Sequence, residues 1–376
     1  MIILDIKKTF NHKKITYLGS HKYVMSDDIA EELGSIYHES IGIRYQLEIY
    51  HKQYKGEDLT DKNLLVYRRG GLGDMLFIEP SIRALKDKYP SCKISVATQR
   101  GEPLLNNPAI YKIYDYPFDL EIMQANDYHL YYSDILEGGM DIAKTMSAVD
   151  IFSKVSCIKL TDTKPKIYLD KLEIDCAKNT FKNLGITNKD YVVMIQLESS
   201  SLIRNIPVNK LRVIVDKLAN DINVKILLVG NSPQQSNYAH LYKGSHKNVI
   251  PCTTYTARQI IALSNESSIL IAPDSFLIQI FGALNKPMVG VYNAFSSSLR
   301  MSQFKNAIGL DVMVACSPCH MYTQSCLKGN PPPCFSQIKP DDILSALDYL
   351  RFKLTDTHFN FYDKLKPNPK ALNATH

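Results

Sequence analysis

The stretch from Leu64 to Lys88, LLVYRRGGLGDMLFIEPSIRALKDK, constrains the fold of this chain more than any other. Its apolar run Leu64 to Tyr67 reads as a buried strand, while Leu76, Ile78, Ile82 and Leu85 recur at near-helical spacing. Between the two, Gly70, Gly71 and Gly73 make a tight turn, and Asp74 stands at the expected helix start. A strand, a glycine turn and a helix in series are the opening of a parallel α/β unit. Such a turn places a carboxylate and several free N–H groups at a helix N-terminus, where an anion or a reacting hydroxyl is held. Taken alone, the same residues read first as an ordinary turn with Asp74 as a cap. The stretch holds neither GxxxxGK[ST] nor GxGxxG.

The same alternation runs on. Further strands are expected at Lys93–Ala97, Ile110–Tyr116 and Tyr128–Tyr132, with helices over 80–89 and 140–153. The polar segment Thr161–Lys166 ends this unit. A second series follows: helix 175–184, strand 191–196, helix 208–218, strand 224–229, strand 249–250, helix 257–263, strand 268–272, helix 277–284 and strand 288–292. Its strands are apolar on both faces, as parallel strands covered by helices must be. A chain of 376 residues, 45% hydrophobic and 22% charged, is long enough for two such cores. Two doubly wound α/β domains would leave a cleft at the carboxyl ends of their strands. The divisions expected are an N-terminal extension over 1–61, a first Rossmann-like domain over 62–170, a second over 171–345, and a C-terminal helix and tail over 346–376. The helix near Asp341–Leu354 is expected to pack back across the domains.

Residues 1–61 read as an added module with a strand at MIILDI and a capped helix from Ser26 to Tyr37. Its histidines, His12, His21, His38 and His51, lack metal-ligand spacing. No apolar run approaches the roughly 18 residues that span a bilayer, and the opening MIILDIKK is not a secretory signal. A cytoplasmic protein that is not integral to the membrane is expected, in the host cytoplasm if the chain is phage-encoded. The net charge of +6 permits phosphate-rich partners without demanding them.

Three strand-end loops of the second unit offer groups for a phosphorylated ligand. After strand 191–196 stand Ser199, Ser200, Ser201 and Arg204; after strand 224–229 stand Gly230, Asn231 and Ser232; after strand 268–272 stand Asp274 and Ser275. The last pair runs into a helix whose N-terminus favours an anion. Each loop alone is an ordinary turn or cap; their shared location is what points to a nucleotide-sugar cleft.

The pair RRGGLGDMLFIEPSIRALKDKYP and APDSFLIQIFGALNKPMVGVYN resembles the two signature regions of the heptosyltransferase-like glycosyltransferases of family nine, over roughly Leu64 to Leu350. The resemblance implies a GT-B fold, two Rossmann-like domains facing across a cleft, the first on the acceptor side and the second binding the nucleotide-sugar donor. By position it makes Asp74 the general base on the acceptor hydroxyl, with Arg69, Gly71 and Gly73 in the acceptor loop. It puts Arg204, Asp274, Ser275 and the Gln279 position at the donor, to which the strand-end loops add Ser200 and Gly230 as expected donor-binding residues. Three positions depart from the family: Arg204 stands where lysine is usual, Phe276 where glycine is usual, and Gln279 where histidine is usual. An inverting transfer is implied, with the nucleotide sugar as substrate and no metal required for transfer. The acceptor expected is a lipopolysaccharide or other surface glycan, or a hydroxylated base in DNA as in bacteriophage genome modification. A non-catalytic nucleotide-sugar-binding or assembly protein is the alternative.

Cys316, Cys319, Cys326 and Cys334 lie in VACSPCHMYTQSCLKGNPPPCF. A CxxC followed by two further cysteines supplies four thiolates for a structural zinc, with His320 as a substitute ligand; free or redox-labile thiols are the other reading. Similar cysteine loops occur in members of the family.

Overall fold

The computed structural model describes residues 1–46, 52–132, 136, 142–230, 242, 246–320 and 323–355. The sequence expectations at Asn231, Ser232 and the tail beyond 355 lie outside these residues.

The N-terminal segment contributes β1 (Ile2–Ile6), a two-stranded hairpin of β2 (Phe10–His12) and β3 (Ile15–Tyr17), β4 (His21–Met25), α1 (Asp27–Ile36) and β5 (Ile41–Gln46). The first α/β unit follows as β6 (Asn63–Tyr67), α2 (Leu72–Lys88), β7 (Lys93–Thr98), β8 (Lys112–Asp115), β9 (Phe118–Asp119), α3 (Leu120–Gln124), β10 (Tyr128–Tyr131), α4 (Ile142–Thr145) and α5 (Ala148–Val155). Its parallel sheet has the order β10-β6-β7-β8.

Strand β6 shows why this sheet needs two covers. Leu64 and Val66 point into a core shared with α2 and α5, while Leu65 and Tyr67 point into one shared with β1, β4 and α1. Side chains alternate along a strand, so every second residue needs a different partner layer. Helices supply one layer. The N-terminal module, with α3, supplies the other. The module also takes β9 from the α/β unit into its own antiparallel sheet, in the order β5-β1-β4-β9. Residues 1–46 are thus welded to the first sheet.

The second unit runs α6 (Lys171–Asn183), β11 (Tyr191–Gln196), α7 (Val208–Ala219), β12 (Val224–Val229), β13 (Val249–Cys252), α8 (Ala257–Glu266), β14 (Ile269–Pro273), α9 (Phe276–Ala283), β15 (Met288–Tyr292), α10 (Ser297–Met301), β16 (Ala307–Asp311) and α11 (Pro340–Thr355). Its six parallel strands have the order β13-β12-β11-β14-β15-β16. That is the Rossmann order 3-2-1-4-5-6, whose switch point falls between β11 and β14. In the first sheet the switch falls between β6 and β10. Ile343, Ala346, Leu347 and Leu350 of α11 join the core on one face of the second sheet. The helix closes that domain, which corrects the expectation that it would reach back across the first.

Helix α2 links the two domains. Its sequence reads as amphipathic only in part because both sides are covered: Met75, Ile78 and Ile82 face the first sheet's core, and Leu76 enters the second domain's core. It begins at Leu72, close to the start expected at Asp74 and before the 80–89 span, with Pro80 inside it. Replacing Leu76 with alanine would cost about 2–5 kcal/mol, the usual range for a fully buried leucine.

Candidate active site

Asp74 is the third residue of α2, with Gly71 as the N-cap, so it is not the N-cap but reaches back to it as in a capping box. Its Oδ2 accepts the Gly71 N–H at 2.6 Å. Its Oδ1 lies 3.0 Å from Nη2 of Arg68, whose side chain is fully buried while that of Asp74 is 24% exposed. Arg68 also donates from Nη1 to the carbonyl of Tyr132, 2.9 Å away at the end of β10. The guanidinium therefore bridges the switch point of the first sheet and holds the carboxylate from behind. Gly70 adopts φ +136, and a Cβ there would stand 2.6 Å from Asp74 Oδ2. Only glycine fits.

Arg69 is placed differently from the sequence expectation. It pairs with Asp28 of α1 at 3.0 Å, away from Asp74. The alternation of β6 carries on two residues past the strand, so Arg69 shares the face of Leu65 and Tyr67, toward the N-terminal module. Its neighbour Arg68 takes the face toward α2.

The second domain supplies the opposite wall. Arg204, after β11, pairs with Asp274, after β14, at 3.2 Å, across the switch point of the second sheet. Its Nη2 donates to Ser200 Oγ at 2.7 Å. Ser275 is the N-cap of α9, and its hydroxyl donates to Oε1 of Gln196. Gln279, 2% exposed, donates from Nε2 to the carbonyl of Arg300 at 2.9 Å. The N-termini of α2 and α9 meet face to face: a Cβ on Gly73 would come 3.4 Å from the backbone of Phe276.

Between the walls lies one cavity of about 660 Å³. Gly70, Gly71, Gly73 and Asp74 line it from the first domain; Ser200, Arg204, Gly230, Asp274, Ser275 and Gln279 line it from the second. Its size suits a nucleotide-sized ligand. Arg100, Tyr255 and Arg300 also line it, and sequence reasoning passed over all three. Arg68 was passed over too, although strand parity distinguishes it from Arg69.

The four cysteines converge on a second, small cavity of about 100 Å³, lined also by Ile203 and Asn293. Burial and the neighbouring thiols push the Cys334 thiol up to about 11. Among the described residues, no three His, Cys, Asp or Glu side chains are arranged as a metal site. His320 does not join the cysteines: its ring stands edge-on to Phe295, with centroids 5.7 Å apart. The cysteine loop grips the loop that follows β11. Gln324 donates from Nε2 to the Ser200 carbonyl at 2.7 Å and accepts the Leu202 N–H at 3.2 Å. Ser201 Oγ donates to the Thr323 carbonyl at 2.5 Å.

No helix among the described residues is long and apolar enough to cross a membrane. No protein-family model and no curated protein sequence matches the chain. Solved structures do. A family 9 glycosyl transferase from Veillonella parvula superposes with a TM-score of 0.64 at 16% identity, covering 79% of this chain and 99% of that one. The ADP-heptose lps heptosyltransferase II of E. coli gives 0.61 at 14% identity, covering 78% and 100%. The dodecameric iron-containing heptosyltransferase TibC, in complex with ADP-D-beta-D-heptose, gives 0.58 at 13% identity, covering 94% of this chain and 91% of that one. That last share is too large to leave the whole N-terminal module outside the match. The chain has the two-domain, Rossmann-like GT-B fold of these glycosyltransferases, with an N-terminal module built onto its first sheet.

Proposed function

We propose that this protein is an inverting glycosyltransferase that moves a sugar from a nucleotide-sugar donor to an acceptor hydroxyl. One observation carries the reading: Asp74 and the Arg204–Asp274–Ser275 cluster border the same interdomain cavity. A carboxylate on one wall and phosphate-binding groups on the other are what single displacement at an anomeric carbon requires.

In that reaction Asp74 accepts the proton of the acceptor hydroxyl as the oxygen attacks. Arg68 and the Gly71 N–H hold its two oxygens and so fix the direction from which the proton is taken. The bond to the nucleoside diphosphate breaks on the far side, and negative charge grows on its oxygens. Arg204, the Ser275 hydroxyl and the first amides of α9 answer that charge. Asp274 acts through Arg204, holding its guanidinium in the cavity wall. Gln279 lines the wall with Oε1 buried and without a hydrogen-bond partner, an acceptor for a donor hydroxyl. The acceptor is a surface glycan or lipid-linked saccharide; salt-sensitive binding to duplex would mark a hydroxylated DNA base instead.

The four cysteines offer the donor type of a thiolate-bound metal and share one cavity, with zinc the ion read from the sequence, but they are not arranged as a metal site in this structure. The printed description of TibC names iron for that protein. In either case the ion would order the loop that holds Ser200 and Leu202, and no transfer step passes through it.

A panel of nucleotide sugars, screened by thermal shift and then by turnover with and without acceptors, tests the proposal. The expected result is a raised melting temperature with one donor and transfer that Asp74→Asn abolishes. Binding of a nucleotide sugar with no transfer to any acceptor, and no loss on Asp74→Asn, would establish the non-catalytic alternative.

A further inference from the structure

Sequence reasoning set a single cation, Arg204, at the donor phosphates. The structure brings a second to the same wall. Arg300 lies in the short helix α10, is 8% exposed, and lines the interdomain cavity. Its guanidinium carbon stands 4.4 Å from the ring centroid of Phe295, against which Arg204 also lies, at 6.0 Å. Two guanidiniums thus border one aromatic ring. Beneath them the buried phenol of Tyr292 is within electrostatic reach of both, and of Asp274.

Arg300 also sits where the domains meet, 5.9 Å from the ring of Phe77 on α2. Its backbone is fixed by the Gln279 bond described above, which ties α10 to the second turn of α9. Asp274 already answers Arg204, but a diphosphate carries more than one negative charge and can be met by guanidiniums at two points of one wall. The N-terminus of α9 adds partial positive charge from the same side. A planar guanidinium offers two parallel donors to a phosphate, which suits a diphosphate better than a point charge does.

We propose that Arg300 is a second ligand of the donor diphosphate, acting together with Arg204. The inference rests on the nucleotide-sugar reading above. Because Arg300 reaches the cavity beside Phe77, it contacts the diphosphate at the domain junction, while Arg204 does so from the switch point.

Isothermal titration with ADP, with UDP and GDP run alongside, and with adenosine as a phosphate-free control, tests this. Arg300→Met should weaken ADP binding by about tenfold or more, the loss expected for a charge-assisted bidentate contact, while leaving adenosine affinity unchanged. Arg300→Lys should recover part of that loss, and raised salt should weaken ADP binding less in Arg300→Met than in the wild type. Because the side chain is largely buried, thermal midpoints are read in parallel; a folded Arg300→Lys keeps the test decisive if the methionine variant is unstable. Equal losses for ADP and adenosine, or none for either, would overturn the role of Arg300 while leaving the nucleotide-sugar reading intact. A wild-type protein that binds none of the three diphosphates would overturn both.

Discussion

The carboxylate of Asp74 and the guanidinium of Arg68 lie 3.0 Å apart at the switch point of the first sheet, one partly open to the cavity and the other wholly buried. In the proposed reaction the carboxylate is the group that takes the proton and the guanidinium the group that aims it. Asp74→Asn should lower kcat by about 100- to 10,000-fold, the usual worth of a general base, with donor affinity nearly unchanged. Arg68→Met should destabilise the fold by about 1–3 kcal/mol, because it leaves the buried Tyr132 carbonyl without its donor while Asp74 stays partly open to the cavity. Arg68→Lys should regain much of that stability without regaining kcat, because an ammonium cannot reach Asp74 and the Tyr132 carbonyl in one fork. Turnover near the wild-type level in Arg68→Lys would show that the arginine is only structural.

Gly70 tests the same arrangement from the backbone. Gly70→Ala forces a side chain into φ +136 and against Asp74 Oδ2. A cost of about 1–3 kcal/mol is expected from the strained backbone, with a fall in kcat as the carboxylate is displaced. Urea unfolding together with initial rates would show the two effects; Gly73, which faces Phe276 instead, should affect donor binding more than the base.

Glu79 gives a pH signature. Its carboxylate is fully buried in α2 and accepts bonds from Arg83, Asn107 and the Lys166 N–H, tying the helix to the segment that leads into the second domain. Burial raises its pKa above the ordinary glutamate value, outweighing Arg83. The folded protein then holds this proton more tightly than the unfolded chain, so the group's contribution to stability falls as pH rises from the ordinary value through the raised one. Glu79→Gln cannot lose that proton. Its melting temperature relative to the wild type should therefore improve as pH is raised across that window. A difference that does not change with pH would show that Glu79 does not titrate there.

Metal analysis addresses the cysteine loop. If an ion draws the four cysteines into one site on binding, protein purified without chelator holds about one equivalent of zinc or iron per chain, falling below about a tenth in Cys316→Ser or Cys326→Ser. Donor KM should rise in those variants, because the Gln324 amide would no longer hold Ser200 and Leu202 in place. Gln324→Ala should raise donor KM without loss of metal. Metal-free wild-type protein with full donor affinity would identify the four as free thiols.

Much of this molecule is written locally. Strand and helix periods located most of the elements of both sheets, because a residue's burial repeats every second or every third to fourth position along the chain. The glycine turn and Asp74 were legible for the same reason: a positive φ and a helix start leave marks on adjacent residues. Parity along β6 would also have told Arg68 from Arg69, since the two point to opposite faces whatever covers them.

What the sequence alone determined, then, is two parallel α/β units, the turn that presents Asp74, and the strand-end groups Arg204, Asp274 and Ser275. Only the tertiary structure decided which of these face one another. It set the N-terminus of α2 against that of α9, turned Arg69 to Asp28, laid the N-terminal module over the first sheet, and brought Arg300 to the wall that Arg204 shares. The physical reason is range: backbone conformation and side-chain alternation are fixed by neighbours in the chain. The meeting of faces is fixed by packing between segments up to some two hundred residues apart, and periodicity carries no record of it.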